Sequence, residues 1–375
     1  MFSRSMGTPN DHRQRRNRIY QDEKEGQNSD FEVTELLKWM CLDTPLQLFN
    51  FPQSGRGLKT PKAIGKGENL IAIPIQKLMT RKMLETRFPS HYSTHLMLTS
   101  FLIQESSLNE CSKWKTYLKS LPKTYDVPYF DLTQDHLDHC PAYLKPHFQS
   151  QFDLVQRNFQ ASNFQDLDLF AWAWFTVNTR GVYFQDGFDN LALAPFLDMF
   201  NHDWSVQVQS KVVKNSFYVL VAETETQAEQ QVFINYGPHD NLKLYLEYGF
   251  VLSQNPHDAI QLELEDLIVD FDNDQKMFIR NHNLNCKLQI LPNEEIVSWS
   301  ILACLFIAKR SHKDLQAVFY QDLEVHQFKK EVIEIIMKVK NELLQALESS
   351  CQSSKILPSL LRIHLNICQS AIEQI

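Results

Sequence analysis

The chain has 375 residues, of which 43% are hydrophobic and 22% charged, a balance typical of soluble globular proteins with two or three domains. Its formal net charge of −8 disfavours direct binding to nucleic acid, because a phosphate backbone is bound by clustered positive charge. No apolar stretch approaches the ~18 uninterrupted residues of a membrane-spanning helix, so we expect no association with a membrane.

The N-terminal residues and the cysteines bear on the compartment. Residues 1–30 are polar and predict a disordered basic tail, whose run of arginines at 13–18 also suits a nuclear-localisation signal. The seven cysteines are scattered and form no Cys-x-x-Cys pair, which is typical of a reduced intracellular protein without structural zinc. We therefore expect a monomer that is cytoplasmic and nuclear.

The glycines divide the chain into blocks. One group lies between residues 55 and 67 and another between 181 and 249, with none at 68–180 or after 249. Because glycine favours turns and bulges, the two groups indicate β-rich segments and the intervals indicate helices. The predicted fold class is α+β, with a β-rich domain over 31–255, a helical insertion at about 80–178, and an all-helical domain over 256–375.

Hydrophobic periodicity refines this division. It predicts a strand at 69–74, buried helices at 95–103 and 164–177, and a further helix at 114–121 before Pro122. Residues 206–221 predict a hairpin with one buried face and a turn at 214–216, followed by a strand at 231–236. The C-terminal segments 296–308, 332–347 and 360–372 predict amphipathic helices.

Polar residues follow apolar runs at three places. Asn201 and His202 come after the apolar run 191–200, Tyr236 ends the predicted strand at 231–236, and Tyr248 follows twelve residues later. Side chains delivered in this way from the ends of buried segments predict a pocket more than a surface site.

Taken in order, these motifs resemble a known family. The turn Gly55-Arg56-Gly57, the pair Asn201-His202, Tyr236-Gly237 and the run 248–250 are similar to the motifs of SET-domain methyltransferases, over about residues 31–260. The resemblance is strongest to the class of the Rubisco large-subunit methyltransferase, and the run 236–241 points to the SET-domain-containing protein 4 branch. It implies a protein-lysine N-methyltransferase that uses S-adenosyl-L-methionine.

The resemblance also implies roles for individual residues. Tyr236 and Tyr248 would border the channel for the substrate lysine, and residues 256–375 would bind the protein substrate, histone or non-histone. The implied cofactor-binding residues are Gly55, Arg56, Arg180, Asp198, Asn201, His202 and Tyr236, with no metal. Among them, the Asn201 side chain would bond the methionyl part, Arg180 the cofactor carboxylate, and the His202 main chain the adenine.

Three positions need comment beside this resemblance. Asp198 precedes His202 by four residues, a spacing that also suits a metal pair or a buried hydrogen bond. Ser54 is neutral where other members often carry an acidic residue, so at this turn only main-chain contacts are expected. Leu197 replaces an aromatic residue of an actin-histidine methylating relative, which favours lysine over histidine as the target.

Two other functions remain open at this stage. The His-Asp pairs at 202–203, 239–240 and 257–258 suit a metal-dependent phosphohydrolase, although none has a helical His-x-x-x-His partner. A catalytically inactive SET-like protein-binding module is the second alternative. The presence of both Tyr236 and Asn201 favours an active enzyme.

Overall fold

The computed structural model describes residues 29–185 and 189–375, and nearly all of the predicted basic tail over 1–30 lies outside these ranges. The chain forms two compact units. The first, here called the sheet unit, comprises the described residues up to Tyr125 together with Asn158–Gly237. The second, the helical unit, comprises Asp126–Arg157 and Pro238–Ile375.

The α+β fold class is confirmed. The helices of the described residues are α1 (Ser29–Met40), α2 (Arg81–Leu84), α3 (Thr94–Ser107), α4 (Lys115–Ser120), α5 (Pro128–Asp131), α6 (Gln134–His139), α7 (Lys145–Ala161), α8 (Leu167–Arg180), α9 (Asn241–Tyr248), α10 (Asn273–Asn281), α11 (Trp299–Ala308), α12 (Lys329–Leu347) and α13 (Leu357–Gln374). The strands are β1 (Gln47–Phe51), β2 (Gly55–Lys59), β3 (Asn69–Pro74), β4 (Met79–Thr80), β5 (Gly181–Tyr183), β6 (Leu191–Leu193), β7 (Asn201–His202), β8 (Val208–Val213), β9 (Phe217–Ala222), β10 (Gln231–Ile234), β11 (Ile260–Leu262) and β12 (Leu288–Ile290).

The sheet unit contains three small sheets, with strand orders β1-β2-β10-β7, β3-β9-β8 and β4-β6-β5. In the four-stranded sheet, β10 pairs antiparallel with β2, so that Val232 lies opposite Leu58. On its other side β10 pairs in parallel with β7, with Ile234 opposite His202. This arrangement brings three segments that are far apart in sequence onto neighbouring strands.

The predicted hairpin forms, but its burial differs from the prediction. β8 and β9 pair antiparallel and are joined through Lys214 and Asn215, both with positive φ, as a tight hairpin turn requires. Every residue of Tyr218–Ala222 is buried, so β9 has two buried faces rather than one. Strand pairing with β3 and β8 covers only the edges of β9. One of its faces is covered by a segment outside the hairpin, since Tyr218 packs against Phe184 and donates to Tyr183 O.

Helix α8 leads to Arg180, one of the predicted cofactor-binding residues. Its start is capped by Asp166, whose side chain accepts a hydrogen bond from Leu169 N at 3.0 Å. Its middle is buried, as predicted, and packs against α3. The helix ends at Arg180, because Gly181 adopts an extended conformation and begins β5.

The helical unit has a core of its own. On α12 the buried residues Val332, Ile335, Ile336, Val339 and Leu343 recur at helical spacing, and α13 packs against this helix. A two-stranded sheet, β11-β12, joins the same hydrophobic core. Within the described part of the chain, no helix combines the length and apolar character needed to cross a membrane.

The unit boundaries differ from the predicted division at two places. Residues 126–157, predicted as part of an insertion in the β-rich domain, group with the C-terminal helices. The helical unit also takes up the chain again at Pro238 rather than at residue 256.

Candidate active site

The Gly-x-Gly turn is held by the side chain of Asn201. Its Nδ2 donates hydrogen bonds to Arg56 O at 3.0 Å and to Ser54 O at 3.3 Å. The turn itself needs glycine at its first position, since Gly55 has a φ of +68°. Asn201 begins β7, two strands away from β2 across β10, so the sheet order places it beside the turn.

Gly57 leaves the space that two amide groups occupy. A Cβ atom at this position would lie 2.5 Å from Gln231 Nε2 and 2.7 Å from Asn201 Nδ2, both too close for any real side chain. Gln231 is oriented by Ser54, whose Oγ donates to Gln231 Oε1 at 2.9 Å. Gln231 Nε2 is buried and has no hydrogen-bond partner among the described residues. The surface over the turn is therefore lined by amide groups.

The sequence predicted a strand that ends at Tyr236. In the structure β10 ends at Ile234, so Tyr236 lies just beyond the strand. Its hydroxyl donates a hydrogen bond to Phe200 O at 2.6 Å. The following glycine has a φ of +132°, and its N–H donates to Asn235 Oδ1 at 2.8 Å. With its proton committed to Phe200, the half-buried Tyr236 hydroxyl presents oxygen lone pairs to whatever approaches it.

The side chain of His202 fixes Tyr236 from the neighbouring strand. His202 Nδ1 accepts a hydrogen bond from Tyr236 N at 3.0 Å, and the two rings stack with centroids 5.1 Å apart. The imidazole is buried, so it acts inside the protein. Its Nδ1 must be unprotonated to accept this bond, which places the proton of a neutral ring on Nε2.

Arg180 and Asp198 form a buried ion pair. Arg180 Nη1 donates to Asp198 O at 2.8 Å and lies 3.4 Å from Asp198 Oδ2. Burial acts to lower the pKa of Arg180, but Asp198 and nearby tyrosines together raise it above its ordinary value. Burial raises the pKa of Asp198, while Arg180 and a hydrogen bond from Tyr117 act in the opposite direction. The arginine therefore stays charged.

Tyr248 belongs to the helical unit, at the end of α9. Its ring stacks on His239 with centroids 6.1 Å apart and lies 6.3 Å from Phe250. Burial raises the pKa of Tyr248 to about 12, so its hydroxyl remains protonated at physiological pH. Gly249, with a φ of +80°, ends α9 in the left-handed conformation.

The structure thus brings Arg56, Asn201, His202 and Tyr236 together, on or just beyond the neighbouring strands β2, β7 and β10, and it pairs Arg180 with Asp198. Sequence reasoning missed Tyr117 and Gln231. The first lay in a predicted core helix and the second at the start of a strand, and neither carried a motif. Within the described residues, no group of three or more His, Cys, Asp or Glu side chains could hold a metal ion, including those of the His-Asp pairs.

Comparison with known proteins adds independent evidence, although no protein-family model matches the chain. The ribosomal lysine N-methyltransferase set11 of Schizosaccharomyces pombe is 30% identical over 276 residues, which cover 68% of this chain and 69% of that protein. The chain belongs to the SET-domain protein methyltransferase family. This membership accounts for the order of the motifs along the sequence.

Further similarities place the chain within this family. The SET domain-containing protein 4 of Artemia parthenogenetica is 29% identical over 386 residues, covering 90% of this chain and 96% of that protein. The structure of Rubisco LSMT bound to AdoMet has the same fold, with a TM-score of 0.66 at 18% sequence identity over 92% of this chain and 90% of that one. The similarity to SET domain-containing protein 4 is confirmed, and the fold is that of Rubisco LSMT, as the resemblance implied.

Proposed function

We propose that this protein is an S-adenosylmethionine-dependent protein-lysine N-methyltransferase. The observation that carries the proposal is the convergence of three separate motifs on adjoining strands. Asn201 holds the Gly-x-Gly turn through Arg56 O, and the next residue, His202, holds Tyr236. These bonds fix the turn, the two-residue strand and the strand end relative to one another, which is the rigidity that a ligand site requires.

The residues around the turn fit the cofactor. Gly57 leaves space for the amides of Gln231 and Asn201 beside the turn. Gln231 Nε2 and Arg180 Nε are buried donors with no partner among the described residues. An amino-acid carboxylate is the kind of group that such donors bind. Bound S-adenosylmethionine would supply an electrophilic methyl group. We propose that main-chain atoms of the turn, Asn201 and Arg180 bind its methionyl end, and that the His202 main chain meets the adenine.

Tyr236 supplies the group that acts on the substrate amine. A free lysine has a pKa of about 10.4, so at neutral pH roughly one in a thousand is uncharged, a deficit of about 4 kcal/mol. The Tyr236 hydroxyl oxygen can accept a hydrogen bond from the amine, because its own proton is donated to Phe200 O. This contact orients the nitrogen lone pair toward the methyl group. Positioning of this kind is a large part of catalysis in a two-substrate reaction.

We assign Tyr248 to recognition of the substrate lysine, as the family resemblance implies. Support comes from its own surroundings, a half-buried ring that is stacked on His239 and fixed at the end of α9. An aromatic ring held rigidly in this way can attract an ammonium group through its face.

The helical unit is proposed to bind the protein substrate. It exposes an aromatic group in which Trp299 and Phe319 are 42% and 45% exposed, with ring centroids 6.4 Å apart, and Phe278 lies 6.0 Å from Phe319. Exposed aromatic residues that lie together are typical of protein-binding surfaces. Replacing Trp299 and Phe319 by serine should lower kcat/KM for a whole protein substrate but not for a short peptide.

We propose lysine rather than histidine as the target, because the resemblance places Leu197 where an actin-histidine methylating relative carries an aromatic residue. The experiment is to incubate the protein with S-adenosylmethionine labelled in its methyl group and with a cell lysate, then to hydrolyse the labelled proteins. We expect methyllysine in the hydrolysate. Label in methylhistidine would contradict the lysine assignment, and no labelled protein would contradict the activity.

A further inference from the structure

Tyr117, a residue without a recognised motif, touches the ion pair of the site directly. It lies on α4, is fully buried, and donates a hydrogen bond from its hydroxyl to Asp198 Oδ2 at 2.9 Å. Burial and the neighbouring Asp198 raise the pKa of Tyr117 well above its ordinary value, so the hydroxyl keeps its proton and remains a donor. A buried tyrosine therefore occupies one lone pair of the carboxylate that pairs with Arg180.

The pairing between Asp198 and Arg180 is incomplete as a result. A saturated arginine–carboxylate pair forms two parallel N–H···O bonds, but here Nη1 reaches Oδ2 only at 3.4 Å and bonds the main-chain oxygen at 2.8 Å. Arg180 Nε and Asp198 Oδ1 are both buried and have no hydrogen-bond partner among the described residues. Asp198 thus neutralises and holds the guanidinium while leaving one of its donors for another acceptor.

The same short helix also contacts the Gly-x-Gly turn. Arg56 Nη1 donates to Ser120 O at 3.3 Å, and Ser120 Oγ donates back to Tyr117 O at 2.7 Å. Helix α4 therefore meets both parts of the proposed cofactor site, the turn through Ser120 and the ion pair through Tyr117. This double contact is what a positioning element requires.

We infer that Tyr117 is a positioning residue of the cofactor site, which acts through Asp198 to hold Arg180 in the orientation that binds the methionyl carboxylate. Asp198 then has its effect through Arg180 rather than by touching the cofactor. Without the Tyr117 hydroxyl, the Asp198 carboxylate rotates to form two hydrogen bonds with the Arg180 guanidinium. It then occupies the Arg180 donor that would otherwise bind the cofactor carboxylate. This inference rests on the proposed function, since it names the part of the cofactor that Arg180 binds.

The experiment compares two ligands that differ at the methionyl end. S-adenosylhomocysteine carries the amino-acid carboxylate, whereas 5′-methylthioadenosine lacks it, and both are titrated calorimetrically into the full chain and into Tyr117→Phe. We expect S-adenosylhomocysteine to bind about tenfold or more weakly to the variant, since one hydrogen bond to a charged group is lost, and methylthioadenosine to bind within about twofold of wild type. Tyr218→Phe is the matched control, because this buried tyrosine donates to Tyr183 O and not to the ion pair.

The outcomes separate the two proposals. Equal weakening of both ligands, unchanged binding, or tighter binding of S-adenosylhomocysteine by Tyr117→Phe would overturn the positioning role and leave the proposed function standing. A wild-type protein that binds neither ligand would overturn the proposed function and this inference together. Should Tyr117→Phe fail to fold, Arg180→Gln removes the donor that Tyr117 is inferred to hold in place, so it must weaken S-adenosylhomocysteine about tenfold or more and leave methylthioadenosine within about twofold of wild type. Equal weakening of both ligands by Arg180→Gln would overturn the inference.

Discussion

At the scale of single residues, the site depends on the absence of a Cβ atom at Gly57. Two side-chain amides, those of Gln231 and Asn201, occupy the position where a Cβ would be. Asn201 uses the same Nδ2 atom to hold the turn through Ser54 O and Arg56 O. The family resemblance implied that the Asn201 side chain binds the cofactor. The structure shows that this side chain also holds the Gly-x-Gly turn in place.

Gly57→Ala should lower the affinity for S-adenosylhomocysteine about tenfold or more, because the added methyl group displaces both amides and frees the turn. The protein should still fold, since Gly57 has no left-handed backbone for alanine to oppose. Calorimetry measures the affinity and circular dichroism the fold. Gly65→Ala is the control, because the nearest atom to its Cβ would be 3.8 Å away. Equal affinities in both variants would contradict the account of the turn.

At the scale of elements, the sequence predicted most helices and strands because their signals are local. The apolar spacing of α3 and α8, the proline after α4 and the turn of the β8–β9 hairpin each act over a few residues. The two buried faces of β9 could not be predicted, since they depend on packing against segments outside the hairpin, such as the one that carries Phe184. The ion pair of Arg180 with Asp198 was missed for the same reason: its partners meet only in the folded chain.

Helix α9 offers a test of an element boundary. Gly249→Ala should destabilise the protein by about 2–4 kcal/mol, because alanine opposes the left-handed conformation and its Cβ would lie 3.0 Å from the main chain of Asp126. Gly67→Ala is the control, with a φ of +87° but no atom within 4 Å, and should cost only about 1 kcal/mol. Urea unfolding measures both. Similar losses of unfolding free energy in the Gly249→Ala and Gly67→Ala variants would show that close packing at Gly249 contributes little to stability.

At the scale of the whole molecule, the division into two units changes how the chain should be cut. The sequence predicted separate domains before and after residue 256, but residues 126–157 group with the C-terminal helices. A truncation at 256 would therefore remove most of the core that these residues share. The sequence does not reveal this grouping, because the contacts that define it join segments that are far apart along the chain, such as Gln151 with Leu246. Point variants therefore test the function of the helical unit better than a truncation at residue 256 does.

Stability should fall in acid because two histidines are buried uncharged. Burial lowers the pKa of His364 to about 3 and that of His95 to about 4. The unfolded chain binds these protons near pH 6.5 and the folded protein does not, so their stabilising effect is complete above that pH and is lost as the pH falls. Burial raises the pKa of Asp258 to about 6, which acts in the opposite direction between about pH 4 and 6.

A single variant isolates one histidine from these opposing effects. His364→Gln keeps an acceptor for the Tyr143 hydroxyl, which lies 2.7 Å from His364 Nδ1, but cannot be protonated. Between pH 7 and pH 4.5, wild type should lose about 2–3 kcal/mol more of its free energy of unfolding than the variant. Urea unfolding at the two pH values measures this difference. The exposed His326→Gln is the control, and a His364→Gln variant with the wild-type pH dependence would contradict the account.

Single-turnover kinetics decide whether Tyr236 orients an amine for methyl transfer. Enzyme in excess over labelled S-adenosylmethionine is mixed with a protein substrate identified by the lysate experiment, using wild type, Tyr236→Phe and the control Tyr218→Phe. Loss of one preorganised hydroxyl should slow transfer by Tyr236→Phe about 100-fold or more, while Tyr218→Phe stays near wild type. A Tyr236→Phe variant that transfers methyl groups within a few-fold of wild type would show that this tyrosine only packs at the end of β10.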